Sequence, residues 1–174
     1  MTQSNGTAKA PSNRRQGEWS AIRPFLDKAP VDVGKVAESL GIKVLQSRLG
    51  PRISGILRRD PGQGARSGYV IIVNDAHPYN RQRFTVAHEL GHFVLHRSDD
   101  FTELADDEFY RALPGPLERE ANEFAADILM PWALINALMA EGCNELPGMA
   151  DRLKVSRQAL AVRLGLTYDQ DWEN

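Results

Sequence analysis

Apolar residues recur along the chain with two periods, and the switches between them outline the expected elements. Residues 1–17 contain no Val, Ile, Leu, Phe, Trp or Tyr. Nothing there can be buried to offset the entropy of ordering, so a disordered tail is expected. Order should begin near Trp19, Ile22, Phe25 and Leu26. Val33, Val36, Ala37 and Leu40 then fall at helical spacing, with Asp32 as N-cap and Gly41 just past the end. Three short apolar runs follow, Ile42–Leu45, Ile53–Leu57 and Tyr69–Val73. They read as strands, are expected to pair antiparallel, and are separated by the turn-rich RDPGQGARSG.

Beyond Asp75 the period lengthens. Between Arg81 and His96 an apolar stripe of Phe84, Ala87, Leu90, Gly91, Val94 and Leu95 predicts a helix. Residues 98–116 are acidic, end in Pro-Gly-Pro and read as a loop. Leu117–Met130 is a second long helix with Ala121, Phe124, Ala125, Ile128 and Leu129 inward, and Pro131 stops or kinks it. Helix resumes from Trp132 to Ala140, and Met149–Leu153 and Ser156–Leu164 make a final short pair.

The 174 residues suffice for one domain with a real core. A single cysteine, Cys143, excludes an internal disulfide framework and a cysteine zinc finger, and it fits a reducing compartment. No uninterrupted apolar run approaches the roughly 20 residues of a membrane helix, and the N-terminus lacks the apolar core of a signal peptide. The expected setting is cytoplasmic, with no membrane partner. The net charge of −2 argues against a dedicated nucleic-acid binder. Its distribution is uneven, +7 over residues 1–66 and −8 over residues 98–127.

The chemical signal is His88-Glu89-Leu90-Gly91-His92. On a helix, positions i and i+4 share a face, so two imidazoles can converge on one metal ion. Glu89, beside them, can accept a proton from a water at that ion. A catalytic zinc takes three protein ligands and leaves a position open. His96 is a poor third ligand, because on a straight helix it lies about 12 Å along the axis from His88. It reads instead as a residue outside the ligand set, or as a cation at a helix C-terminus. The third ligand should be an acid from the second long helix, which offers Glu118, Glu120 and Glu123. Glu120 borders the buried stripe, whereas Glu123 has Asp127 one turn later, and spacing alone does not choose between them.

RFTVAHELGH at 83–92, followed by EREANEFAADILMP at 118–131, resembles the ImmA/IrrE family of metallopeptidase-like proteins. The family's E-A-N-x-F-A-x-x-L-M-P motif is matched from Glu120 onward, and the likeness extends over roughly residues 28–165. The resemblance implies His88, His92 and Glu120 as zinc ligands and Glu89 as general base. It implies an α+β fold: a small antiparallel sheet of about three strands on an HExxH helix and further helices, a minimal zincin of gluzincin-like type. Residues 1–17 would be the tail, 18–142 the zinc metallopeptidase domain, and 143–174 a helix-turn-helix-like segment packed on it. A His/His/Glu site also accepts Mn2+ or Fe2+. His96, His77 and Tyr110 are the candidates for an oxyanion donor, and the edge of the Tyr69–Val73 strand could hold an extended substrate.

If the C-terminal pair read DNA, Arg157, Gln158 and Arg163 would face the groove. Residues 149–174 carry no net charge, however, and packing is the favoured role. The resemblance implies an endopeptidase that cleaves a specific regulatory protein, a helix-turn-helix transcriptional repressor, in a stress, phage or mobile-element response. The competing reading is a non-catalytic regulator or toxin–antitoxin component that keeps the fold for protein or DNA binding.

Overall fold

The computed structural model describes residues 13–97, 103–107 and 115–167. Its first element is a helix, α1 (Asn13–Ile22), which starts inside the expected tail. Distant partners hold this polar segment. Arg15 Nη2 donates to the Leu95 carbonyl at 2.6 Å, and Glu18 pairs with Arg97 at 2.7 Å, both side chains mostly buried. α2 (Val33–Ser39) buries Val33, Val36 and Ala37, and the Asp32 side chain caps it by accepting from the Lys35 amide. Gly41 closes it at φ 74°, a conformation that favours glycine.

The sheet comprises β1 (Lys43–Ser47), β2 (Ile53–Arg59), β3 (Tyr69–Asn74) and β4 (Glu103–Asp107), in the order β1-β3-β2-β4. β2 pairs antiparallel with β3 and β4, but β1 lies parallel to β3. The sheet is therefore mixed, not wholly antiparallel. β1 and β2 run in opposite directions, and β1 sits on the far side of β3 instead of beside β2, which fixes its sense. β4 falls within the acidic stretch read as loop. β3 is buried along its whole length, with Tyr69, Ile71 and Val73 facing the main core. It is flanked on both sides, so it has no edge to offer a substrate strand.

α3 (Tyr79–Gly91) crosses this sheet and continues into a π-helical turn, His92–His96. α4 (Pro116–Leu129) packs along α3, and α5 (Trp132–Ala140) follows after the break at Pro131. Together α4 and α5 reach the length and composition of a membrane span, although no uninterrupted run does. Of the most apolar stretch, 44% is buried inside the protein. Ala121, Phe124, Ala125, Ile128 and Leu129 are core residues.

α6 (Leu146–Leu153) and α7 (Arg157–Arg163) are joined at Lys154, φ 56°, with Ser156 capping α7 through the Ala159 amide. They dock on α3 through Asn80 Nδ2, which donates to the Val155 carbonyl, and Arg83 Nε, which donates to that of Lys154.

Candidate metal centre

Two glycines let the elements around the HELGH segment approach closely. A Cβ on Gly91 would stand 3.0 Å from Ala121 Cα and 3.2 Å from Phe124 Cβ, so α3 and α4 touch almost backbone to backbone there. A Cβ on Gly55 of β2 would collide with the Thr85 methyl and lie 3.3 Å from Glu89 Oε1. The sheet therefore runs directly over the face of α3 that carries Glu89. His88, Glu89 and His92 are all fully buried.

Within this crossing His88 Nε2 and His92 Nε2 lie 3.0 Å apart. The third group against them is Glu118, whose carboxylate oxygens are 3.2 Å from His88 Nε2 and 3.3 Å from His92 Nε2. These are close to the roughly 3.4 Å edge of a tetrahedron built with 2.1 Å metal–ligand bonds. Among the described residues this is the group of three acidic, histidine or cysteine side chains that could hold a metal ion.

The hydrogen bonds around the ring determine its proton inventory. Asn122 Oδ1 can only accept, so His88 Nδ1 at 3.0 Å must donate to it. The Nε2 of His88 then presents a lone pair. On the other side His96 Nε2 lies 3.0 Å from Glu120 Oε2 and donates to that carboxylate. Neutral His96 accepts at Nδ1, and His92 Nδ1 donates to it at 3.0 Å. His92 Nε2 is thereby left as a second lone pair. Two imidazole lone pairs and a carboxylate facing one another within 3.3 Å repel unless a cation, a proton or a metal ion, stands among them. The donor set thus fits a divalent metal. When protons rather than a metal stand among these groups, a hydrogen bond from His88 holds the Glu118 carboxyl below the usual carboxylate range, against burial that pushes it up, and the charges of protonated His92, His88 and His96 add to the lowering. Glu118 therefore stays ionised, the form that binds metal.

Glu120, expected to complete the site, turns to His96 instead, with 57% of its side chain exposed. A helix places i and i+2 on different faces, so Glu118 and Glu120 cannot both aim at α3. Glu123 lines a groove to which Asn122 also contributes. The overlooked signal is Glu118 and Asn122 at i and i+4, with the small Ala121 between them at the helix crossing. Both ring nitrogens of His96, a candidate oxyanion donor, are engaged by His92 and Glu120. His77 sits in the turn before α3, where its carbonyl accepts from Gln82 Nε2, and it is not part of the three-residue group. Tyr110 lies outside the described residues.

Of the three proposed DNA-contacting residues, Arg163 is committed elsewhere. It pairs with Asp127 at 2.8 Å, donates to the Met130 carbonyl and lies over the Trp132 ring. Gln158 is exposed and Arg157 partly so. Between α3, α4 and α7 opens a groove of about 1010 Å³, lined in part by Phe84, Asn122, Ala126, Met130, Ala159 and Val162. Phe84 stacks on the His88 ring, so the groove adjoins the centre.

A mixed sheet laid over an HExxH helix, with an acid delivered from a second crossing helix, defines the metallopeptidase class of site. The chain belongs to the peptidase family described as the IrrE N-terminal-like domain, which it matches over residues 37–165. It is 28% identical to the metallopeptidase ImmA of Bacillus subtilis over 105 residues, 60% of this chain and 57% of ImmA. It is 39% identical to the radiation response metalloprotease IrrE of Deinococcus radiodurans over 71 residues, 40% of this chain and 22% of IrrE. The IrrE of Deinococcus deserti gives 39% over 72 residues, 41% of this chain and 26% of that protein. The alignments thus span little more than half of ImmA and about a quarter of each IrrE.

Proposed function

We propose that the chain is a zinc-dependent endopeptidase of the cytoplasm, with His88, His92 and Glu118 as metal ligands and Glu89 as general base. The carrying observation is the convergence of two imidazole Nε2 atoms and a carboxylate within 3.3 Å. A bound divalent ion supplies Lewis acidity to a peptide carbonyl and to the attacking water. Glu89, buried beside the two histidines, takes the water's proton and returns it to the departing amine nitrogen. Asn122 holds the His88 ring with Nε2 turned toward Glu118. Zinc is favoured over Mn2+ or Fe2+ by the two-imidazole, one-carboxylate set typical of zinc peptidases.

The substrate side of the reading rests on shape and family. β4 is an outer strand paired to β2, whose Gly55 lies against Glu89. An extended segment added to its outer edge would lie two strand spacings, about 10 Å, from β2. The apolar groove along Asn122 and Phe84 suits a large apolar side chain near the scissile bond. The family likeness supports a helix-turn-helix repressor as the substrate, in a stress, phage or mobile-element response. The α6–α7 pair serves as part of the groove wall rather than as a DNA reader, since Arg163 is spent on Asp127 and Met130.

The test is to mix zinc-loaded protein with a panel of purified helix-turn-helix repressors from its own genome. One repressor should be cut at a single site, and the cleavage should stop on chelation. Stable binding to a repressor without cleavage, in the metal-loaded protein, would instead favour the non-catalytic regulator.

A further inference from the structure

We propose that Glu120 and His96 form a series of positioning residues behind His92, ordering its protons and aiming its Nε2 into the centre. This rests on the His88–His92–Glu118 site proposed above. The two ligand histidines are held differently. His88 donates to a neutral amide, Asn122 Oδ1, at 3.0 Å. His92 donates instead to a second imidazole, and that imidazole donates to a carboxylate, with both contacts 3.0 Å.

The direction of the series follows from the end group. A carboxylate has no proton to give, so His96 carries a hydrogen on Nε2 and, as the neutral imidazole, accepts on Nδ1. His92 can satisfy that acceptor only as the Nδ1–H tautomer, which is the one that leaves Nε2 able to bind a metal. Negative charge at Glu120 therefore reaches His92 through His96 and makes it the more basic ligand, as outer carboxylates do for metal-bound histidines. Burial suits the arrangement: the His96 side chain is 7% exposed and that of Glu120 57%. The buried link is shielded from competing water, while the charge that drives it remains solvated. The link sits on the π turn His92–His96, a helical irregularity that is uncommon except at functional sites.

The experiment compares wild type with His96→Leu, His96→Gln, Glu120→Ala and the double variant His96→Leu/Glu120→Ala. Zinc affinity is read by chelator competition, and the visible absorption of the Co2+-substituted protein is recorded beside it. His96→Leu should weaken zinc binding about tenfold or more, as removal of an outer hydrogen-bond partner does, and alter the cobalt spectrum. Glu120→Ala should weaken it less, and the double variant no more than His96→Leu, because the two act in series. His96→Gln, whose amide oxygen can still accept from His92, should recover most of the affinity. A merely structural role would lower the melting temperature of the metal-free protein and leave the cobalt spectrum alone. Should His96→Leu fail to fold, the solvent-exposed Glu120→Ala still reads the series. Wild-type affinity and spectrum in both single variants would overturn the proposal. Failure of the wild type itself to take up either metal would overturn the underlying site as well, so the two failures are distinguishable.

Discussion

Glu89 lies fully buried between the helix that carries it and the strand that covers it. That places a carboxylate beside the two histidines, where a base that takes up and returns a proton must stand. Glu89→Gln keeps the shape and removes the basicity. It should retain the wild-type metal content while cleavage falls by at least about a hundredfold, the lower range for loss of a general base. Turnover at the wild-type rate would remove Glu89 from the mechanism. At this scale His88, Glu89 and His92 were legible in the sequence because i and i+4 must share a helical face. The third acid was not, because three glutamates within six residues differ only in helical phase, and phase is set by the partner helix. Ala121 against Gly91 fixes it, and it turns Glu118 inward and Glu120 toward His96.

Helices and strands with strong periodicity were readable, and those made by distant contacts were not. β3, α3 and α4 each carry an apolar pattern that identifies them locally. The start of α1 does not, since its order comes from Leu95 and Arg97, some 80 residues away. Alternation also marks a strand without naming its neighbour, so the parallel seat of β1 on β3 had no local signature. β4, with the sequence ELADD, has too few apolar residues to show alternation at all. The closest helix contact yields a test of its own. Alanine at Gly91 would gain roughly 1 kcal/mol of helix propensity. The added methyl, however, meets the Ala121 backbone at 3.0 Å, and overpacking of this kind costs about 1–3 kcal/mol. Gly91→Ala should therefore lower stability by about 1 kcal/mol in urea unfolding, given those opposed magnitudes. An unchanged or raised midpoint would show that α3 and α4 can spread at no cost.

Across the whole molecule a buried cation ties the segment before α2 and the turn between α6 and α7 to α3. Arg83 is 5% exposed. It donates from Nη2 to the Val31 carbonyl at 2.8 Å and from Nε to the Lys154 carbonyl at 3.2 Å. Arg83→Met removes both donors and leaves two inward carbonyls unserved. With charged hydrogen bonds contributing roughly 1.5–3 kcal/mol each, the loss should be about 3 kcal/mol and visible as a lower thermal midpoint. A midpoint within about a degree of wild type would mean that the α6–α7 pair is held by apolar packing alone. The same ties hold the C-terminal pair as a wall of the groove between α3, α4 and α7. One acid of the negative stretch, Asp127, is paired internally with Arg163.

All of this turns on one metal ion held by His88, His92 and Glu118. The most direct measurement is the metal content of the purified protein by mass spectrometry, with Glu118→Ala, Glu120→Ala and Glu123→Ala alongside. The expected result is about one zinc per chain in the wild type, as a site with three protein ligands and one open position holds. It should be lost in Glu118→Ala, retained in Glu123→Ala and weakened but present in Glu120→Ala. Zinc that survives Glu118→Ala and disappears with Glu120→Ala would contradict the geometry of the centre. A wild-type protein that neither carries zinc nor takes it up would leave a binding module on a peptidase scaffold.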